Sequence, residues 1–335
     1  MYLSKIPVRI AFGGGGTDVE PYCSEYGGYV INATINIFFR AMLNKRKDDA
    51  INLFSNDTFT AYRFKKIENL TLPEVNSDII KAIIYLLKPQ IGMDIYLHGE
   101  APKEAGLGAS ASLCTCLISG ILKLHDEELD KSKIAEKAFQ VEDEILQNKG
   151  GRQDQYAAVY GGFNEIKFHG NSNVNVKTID LSDSFKKYLE ERIILYYTAE
   201  PHTSGNLVSA QINSYLKNKT HSKNALDTLK HIALQMKDAL KSENIERLAT
   251  LLTEDWTEKT KFNPLITTDT MKQTHKTVMK NGGIGGRVCG AGGGGCMFWI
   301  VEQSKKESII SQLNSHKGTV LNFLFTQKGL QISNI

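Results

Sequence analysis

Three clusters of glycine punctuate this chain: Gly13 to Gly16, Gly106-Leu107-Gly108, and the group spread from Gly282 to Gly295. Glycine loses more backbone freedom on folding than any other residue, so such clusters mark places where backbone must approach something closely. Phosphate is the first candidate, held by a Walker loop, by a dinucleotide fingerprint, or by another nest of amides at a helix start. No cluster runs on into Gly-Lys-Ser or Gly-Lys-Thr, which closes the Walker option. The dinucleotide spacing is matched in letters at Gly106, Gly108 and Ala111 and again at Gly290, Gly292 and Gly295. Its context fails at both: Cys296 to Val301 reads as a strand where a helix is needed, and the proline-bearing stretch Ala101 to Ala105 separates the middle cluster from the strand before it.

What remains is a glycine turn opening a buried helix, with hydroxyls at Ser110 and Ser112. A helix start presents unpaired N–H groups and partial positive charge, which suits a polyphosphate. A serine there can hold the Mg²⁺ that travels with ATP, and a carboxylate should complete the coordination. Glu142, set inside an apolar stripe, is the candidate. The plainer alternative is that Ser110 only caps its helix and Glu142 is a charge tolerated at a stripe edge.

The elements that must position these groups are partly legible. Ile6, Val8, Ile10 and Phe12 alternate with Lys5 and Arg9, so a strand feeds the first glycine cluster. Tyr29 to Leu43, Ile51 to Ser55 and Asp94 to His98 carry β-branched and aromatic residues and read as further strands. Ser112 to Leu124 is apolar on nearly all sides, the mark of a helix inside a core. Lys131 to Asn148 reads as one helix ended by Gly150 and Gly151, and Tyr160 to Gly170 as a strand pair or loop closing a first domain, residues 1–170. A second, 171–335, holds a strand at Ile193 to Thr198, helices near Asn206 to Leu216, Ala225 to Leu240 and Ile245 to Thr257, and strands at Cys296 to Val301 and Thr319 to Phe325 with a helix between.

At 335 residues, 41% hydrophobic and 23% charged, the chain is long enough for two cores. A net charge of +3 without a long basic block implies neither nucleic acid nor membrane as partner, and no apolar run is long enough to span a bilayer. The Met1 to Phe12 segment carries Lys5 and Arg9 and lacks the apolar core of a signal peptide. Five cysteines, none in a C-x-x-C spacing, argue against a disulfide framework or zinc site, so a reduced, cytoplasmic protein is expected, with Cys114 and Cys116 as small apolar helix residues.

Taken together, Pro7 to Asp18, Pro102 to Ser112 and Gly290 to Gly295 resemble, in order and separation, the three motifs of the GHMP kinases. Ala109 departs from the second serine many members carry, and Gly14-Gly15-Gly16 replaces the Gly-Glu-His of galactokinases, which makes galactose an unexpected substrate. The resemblance implies an α+β protein with a ribosomal-protein-S5-like N-terminal domain, a ferredoxin-like C-terminal domain and an active site between them. It also implies an ATP- and Mg²⁺-dependent kinase of a small-molecule sugar or sugar phosphate, possible as a homo-oligomer. Gly13 to Asp18 followed by Tyr22, Gly27-Gly28 and Asn32 to Ile35 looks most like the branch that phosphorylates a heptose 7-phosphate at C1, for surface polysaccharide; a fucokinase-like kinase of an unphosphorylated sugar is the alternative, and a non-catalytic sensor the second.

The resemblance also assigns roles. Gly151 to Tyr156 is similar to the segment bearing the catalytic aspartate, here Asp154, twelve residues after Glu142 as the branch requires, and Arg9 is similar to the strand arginine that offsets transferred charge. Gly106, Leu107, Gly108, Ala109, Ser110, Ala111 and Ser112 would cradle ATP, with Ser110 and Glu142 on the metal. Gly15, Gly16, Thr17, Asp18, Arg152, Gly292, Gly293 and Gly294 would meet the sugar. For a phosphate at the far end of the substrate the candidates are Arg152, Arg287 and His202-Thr203-Ser204; the alternatives are that Arg152 pairs with a neighbouring carboxylate and that Arg287 is a surface strand residue.

Overall fold

A computed structural model describes residues 1–56, 60–64, 78–170, 173–200 and 204–335. Its N-terminal strand, β1 (Tyr2–Gly13), runs antiparallel along β2 (Gly28–Lys45). Ile6, Val8, Ile10 and Phe12 are fully buried, as the alternation predicts, but Arg9 on the other face is buried too. Helix Ala109–Leu124 packs on the face of Tyr2, Ser4 and Ile6, where Ser4 and Ser119 share a hydrogen bond at 3.0 Å, Ser112 Oγ donates to the Pro7 carbonyl at 2.9 Å and Gly120 leaves room for Leu43, while Arg9 is covered by Asp154 and the Gly106 carbonyl to which it donates. That helix is apolar all round because sheet and helices enclose it, and twelve of its residues are buried.

The long β2 serves two partners. Its first half pairs with β6 (Phe163–Phe168), itself paired with β7 (Val174–Thr178), and its second half with β5 (Met93–Gly99). Beyond β5 lie β3 (Ile51–Ser55), which is parallel to it, and β4 (Thr60–Phe64). Among the described residues this sheet has eight strands, the last being β12 (Gln331–Asn334), which returns from the chain end to pair with Tyr2 to Lys5 of β1. The expected strand pair or loop at 160–170 is thus a single strand of the first sheet.

A second sheet, antiparallel in the order β11 (Thr319–Leu321), β8 (Ile193–Tyr197), β10 (Cys296–Val301) and β9 (Gly283–Val288), forms the other half of a two-domain α+β architecture. The expected strand at 319–325 stops at Leu321; beyond it Phe325 makes one bridge to Ile35. Helices Lys219–Lys241 and Ile245–Phe262 pack on each other, the first against β1 and β2 and the second against β9 and β1, so they tie the two sheets together.

The helix expected from Lys131 to Asn148 is broken. Asp130 caps it, accepting from Lys133 N at 2.8 Å, but α-helix ends at Gln140 and residues Val141–Ile145 form a π turn closed by Leu146 N to Val141 O at 3.0 Å. π turns are rare and occur frequently at functional sites. This one carries Glu142.

Arg287 of β9 is not a surface residue. It is 1% exposed, ion-paired with the fully buried Asp255 of helix Ile245–Phe262 at 2.7 Å, and donates to the carbonyls of Phe12 and Val288. Asp255 in turn accepts from Gly14 N at 3.0 Å, so the pair links both sheets and the first glycine cluster. Removing one partner of a buried pair leaves an uncompensated charge. Arg287→Met is therefore expected to lower unfolding free energy by about 3–5 kcal/mol; a denaturant midpoint unchanged from wild type would contradict this.

Candidate active site

The site is built outward from Arg9. Its Nε and Nη2 donate to Oδ1 and Oδ2 of Asp154, both at 2.7 Å, a fork that fixes the carboxylate's plane as well as its position. Nη1 donates to the Gly106 carbonyl at 2.6 Å and the Arg9 backbone N–H to Leu107 O at 3.0 Å. One arginine thus holds the carboxylate and the middle glycine loop in register. Asp154 stands in the first turn of helix Gln153–Tyr160, against Gly108, where a Cβ would lie 3.2 Å from its Oδ2.

Gly108 is the N-cap of helix Ala109–Leu124, with φ +75° and no side-chain cap, so the first-turn amides are left for a ligand. Gly106, Gly108, Ala109, Ser110 and Ala111 line a cleft of about 260 Å³, together with Arg9, Glu142 and Asp154. Leu107 and Ser112 do not line it: Leu107 is core, and Ser112 is turned onto β1.

Glu142 faces this loop from the π turn. It accepts from Gln155 Nε2 at 2.6 Å and is hydrogen bonded by the Ser110 hydroxyl. Burial, and secondarily the nearby Asp154, pushes its carboxyl up to about 7, against those two hydrogen bonds. Among the described residues no group of three or more His, Cys, Asp or Glu gathers as a metal site. Ser110 and Glu142 do offer one hydroxyl and one buried carboxylate side by side.

The first glycine cluster closes the cleft from another side. Gly15, Gly16 and Asp18 line it, whereas Thr17 is buried behind, its hydroxyl donating to Gly14 O at 2.7 Å and Tyr29 O at 3.0 Å and accepting from Tyr29 N at 2.9 Å. Thr17 pins the loop. Asp18 accepts from Gly16 N at 3.0 Å and Gln153 N at 3.2 Å, and its carboxyl is raised by burial and then by Asp154. Gly151 is required beneath it, since a Cβ there would sit 1.9 Å from Asp18 Oδ2.

The third cluster contributes Gly290 and Ala291 to the cleft. Gly292 and Gly293 are one step removed, packed on Ile266, whose carbonyl accepts from Gly293 N at 2.6 Å; Gly294 continues that turn with φ +139°. Arg152 lies on an adjoining cavity of about 1000 Å³ that shares Asp18, Phe139, Lys149 and Gly150 with the cleft. It sits 4.4 Å over the Phe139 ring, with Nε 3.6 Å from Glu136 and no hydrogen-bond acceptor for that nitrogen among the described residues. His202 and Thr203, with the side chain of Ser204, fall outside what the structure describes.

Polar residues of the cleft that were not anticipated include Gln153, Gln155, Gln211 and Lys259, with Asp255 buried behind Gly14. Leu248, Leu252, Asp255 and Lys259 fall on one helical stripe, so two opposite charges in an otherwise apolar face were the available signal.

A non-Walker glycine loop at a helix start, with a forked arginine–carboxylate pair beside it, defines a nucleotide-dependent phosphotransferase cleft. The comparisons agree. Residues 78–162 match the model of the GHMP kinases N-terminal domain and 236–318 that of the GHMP kinases C-terminal domain. The chain is 32% identical, over 98% of its length and 97% of the relative's, to a D-glycero-alpha-D-manno-heptose 7-phosphate kinase of Campylobacter jejuni. It is 24% identical over 98% of its length to an L-fucokinase/L-fucose-1-P guanylyltransferase of Bacteroides fragilis, of which it spans only 38%. A crystal structure of a D-glycero-D-manno-heptose 1-phosphate kinase from Bacteroides thetaiotaomicron superposes with TM-score 0.81 at 26% identity, covering 100% of this chain and 99% of that one. This chain belongs to the GHMP kinase family, and is an ATP-dependent kinase.

Proposed function

We propose that the chain transfers the γ-phosphoryl group of ATP to the C1 hydroxyl of D-glycero-D-manno-heptose 7-phosphate, giving the 1,7-bisphosphate that precedes nucleotide activation of a heptose for capsule or other surface polysaccharide. The observation that carries this reading is the full-length similarity to the Campylobacter jejuni kinase, 32% identical end to end. In this reading Asp154 takes the proton of the C1 hydroxyl as its oxygen bonds to the γ-phosphorus, and the bond to the β-phosphate bridging oxygen breaks to release ADP. Arg9 orients Asp154 and offsets charge on the group in transit. The open first-turn amides from Ala109 to Ala111 hold the phosphates, while Gly15, Gly16 and Asp18, backed by Thr17, face the sugar, and Gly290 and Ala291, backed by the turn Gly292 to Gly294, close the cleft.

Ser110 and Glu142 fit a hard divalent cation: both donors are oxygens, and the buried carboxylate has two hydrogen bonds but no cationic partner among the described residues. When bound, Mg²⁺ supplies charge neutralisation for the phosphates. Ser110→Ala and Glu142→Gln are each expected to raise the Mg²⁺ concentration for half-maximal activity, read by metal titration of the initial rate; unchanged metal dependence in both would remove the assignment.

Arg152 is the better-placed arginine for a phosphate at the far end of the substrate, because Arg287 is committed to Asp255. The fucokinase-like reading is favoured by one observation, the Bacteroides fragilis relative. Among the described residues no helix is long and apolar enough to cross a membrane; a cytoplasmic location is proposed separately, because the reaction consumes ATP. Steady-state kinetics on heptose against heptose 7-phosphate, and on L-fucose against mannose, should give the highest kcat/KM with heptose 7-phosphate. Arg152→Ala should erase that advantage without changing KM for ATP. A higher kcat/KM for an unphosphorylated sugar would transfer the assignment to the fucokinase-like reading.

A further inference from the structure

Lys259 stands near the C-terminal end of helix Ile245–Phe262, one turn beyond Asp255, and is 5% exposed. Its ammonium donates to the Gly290 carbonyl at 3.0 Å and makes no ion pair among the described residues. An ammonium has three N–H donors, so two remain. Lys259 lines the same cleft as Arg9, Asp18, Ser110 and Asp154. A Cβ on Gly15 would stand 3.4 Å from both Lys259 Nζ and Gln153 Nε2, which places the ammonium on the same side of Gly15 as the amide that holds Asp18.

The charged and titratable groups around it are Arg287 on β9, Asp255 on its own helix, Asp18 in the first glycine loop, Arg9 on β1, and the Cys289 thiol after β9. The carboxylates are engaged elsewhere: Asp255 with Arg287 and Gly14 N, Asp18 with Gln153 and Gly16 N. Burial first, then Arg287, lowers the Lys259 ammonium to about 8. A buried ammonium with open donors is costly unless something in the cleft completes it.

We propose that Lys259 is a substrate-contacting residue: its ammonium donates to hydroxyl oxygens of the acceptor sugar beside Gly15 and Asp18, and so fixes the sugar for attack from Asp154's side of the cleft. This rests on the reading that the cleft receives a sugar. No role for this lysine was legible in the sequence, and the geometry assigns it to the acceptor because it stands beside Gly15 of the first glycine loop and near Asp18 while bonding Gly290 of the third.

The test is steady-state kinetics of the full chain with D-glycero-D-manno-heptose 7-phosphate and MgATP, for wild type, Lys259→Met and Lys259→Arg, across pH 6–10. Lys259→Met should raise KM for the sugar at least about tenfold, the low end for a hydrogen bond from a charged group, and leave KM for ATP within about twofold. Lys259→Arg should recover part of the loss. In wild type, kcat/KM for the sugar should fall above about pH 8 as the ammonium deprotonates, and the Arg variant should lack that fall because guanidinium stays charged. An unchanged sugar KM in Lys259→Met, or a rise confined to ATP, overturns the proposal. Should the Met variant fail to fold, the wild-type and Arg pH profiles decide: no fall above about pH 8 in wild type, or its persistence in Lys259→Arg, overturns it equally. Absence of wild-type turnover with any sugar, alongside ATP binding, would instead defeat the sugar-kinase reading on which the proposal rests.

Discussion

The second and third glycine clusters approach each other backbone to backbone, and the rest of the site depends on that constraint. A Cβ on Gly106 would meet the Cys289 carbonyl oxygen at 2.8 Å, one on Gly290 would meet Gly106 O at 2.9 Å, and one on Gly295 would meet Glu104 O at 2.8 Å. Gly106 and Gly290 also hold φ of +72° and +60°, which side-chain-bearing residues rarely adopt. Cys296 N donates to Ala105 O at 2.8 Å, so the second sheet is hydrogen bonded directly to the phosphate turn. The entropy these glycines lose on folding is offset by bringing a helix start, a strand arginine and the second domain around one small cleft.

Buried charge follows from the same convergence. Arg9 has Asp154, and Arg287 has Asp255, each pair reaching across the chain from one element to another. Both arginines also donate to glycine-loop or strand carbonyls, so they set backbone positions as well as charge. Glu142 and Lys259 are different: each is buried at the cleft and hydrogen bonded but has no ion partner among the described residues, and burial moves each toward its neutral form. Unpaired groups of opposite sign in one cleft are what a reaction between a metal-bound nucleotide and a sugar would complete. Phosphoryl transfer asks a protein for position and charge compensation above all.

The glycine clusters were legible because close backbone approach explains their density, and β1, β2, β3 and β5 of the first sheet because alternation and β-branching are local signals; β4 and β7 were not read as strands. The buried helix from Ala109 was equally plain. Other features were set by tertiary contact. The π turn that carries Glu142 lies inside an uninterrupted helical pattern, and the pairing of Gln331–Asn334 with β1 is a long-range closure that no local pattern announces. Arg287 was left between a partner for a substrate phosphate and a surface strand residue because its actual partner, Asp255, lies on a helix thirty-two residues earlier. Lys259 was missed for the same reason: its meaning comes from Gly290 and Gly15, which only the folded chain places beside it.

The central claim is that this convergence makes Asp154 the group that acts on the acceptor hydroxyl. Single-turnover phosphoryl transfer by Asp154→Asn, with nucleotide affinity measured on the same protein, tests it most directly, since the change removes charge and basicity while nearly preserving shape. The account predicts intact nucleotide binding with transfer slowed at least about a hundredfold, the low end for a general base. Near-normal transfer by the variant would contradict it and leave Asp154 as no more than the partner that holds Arg9 in place.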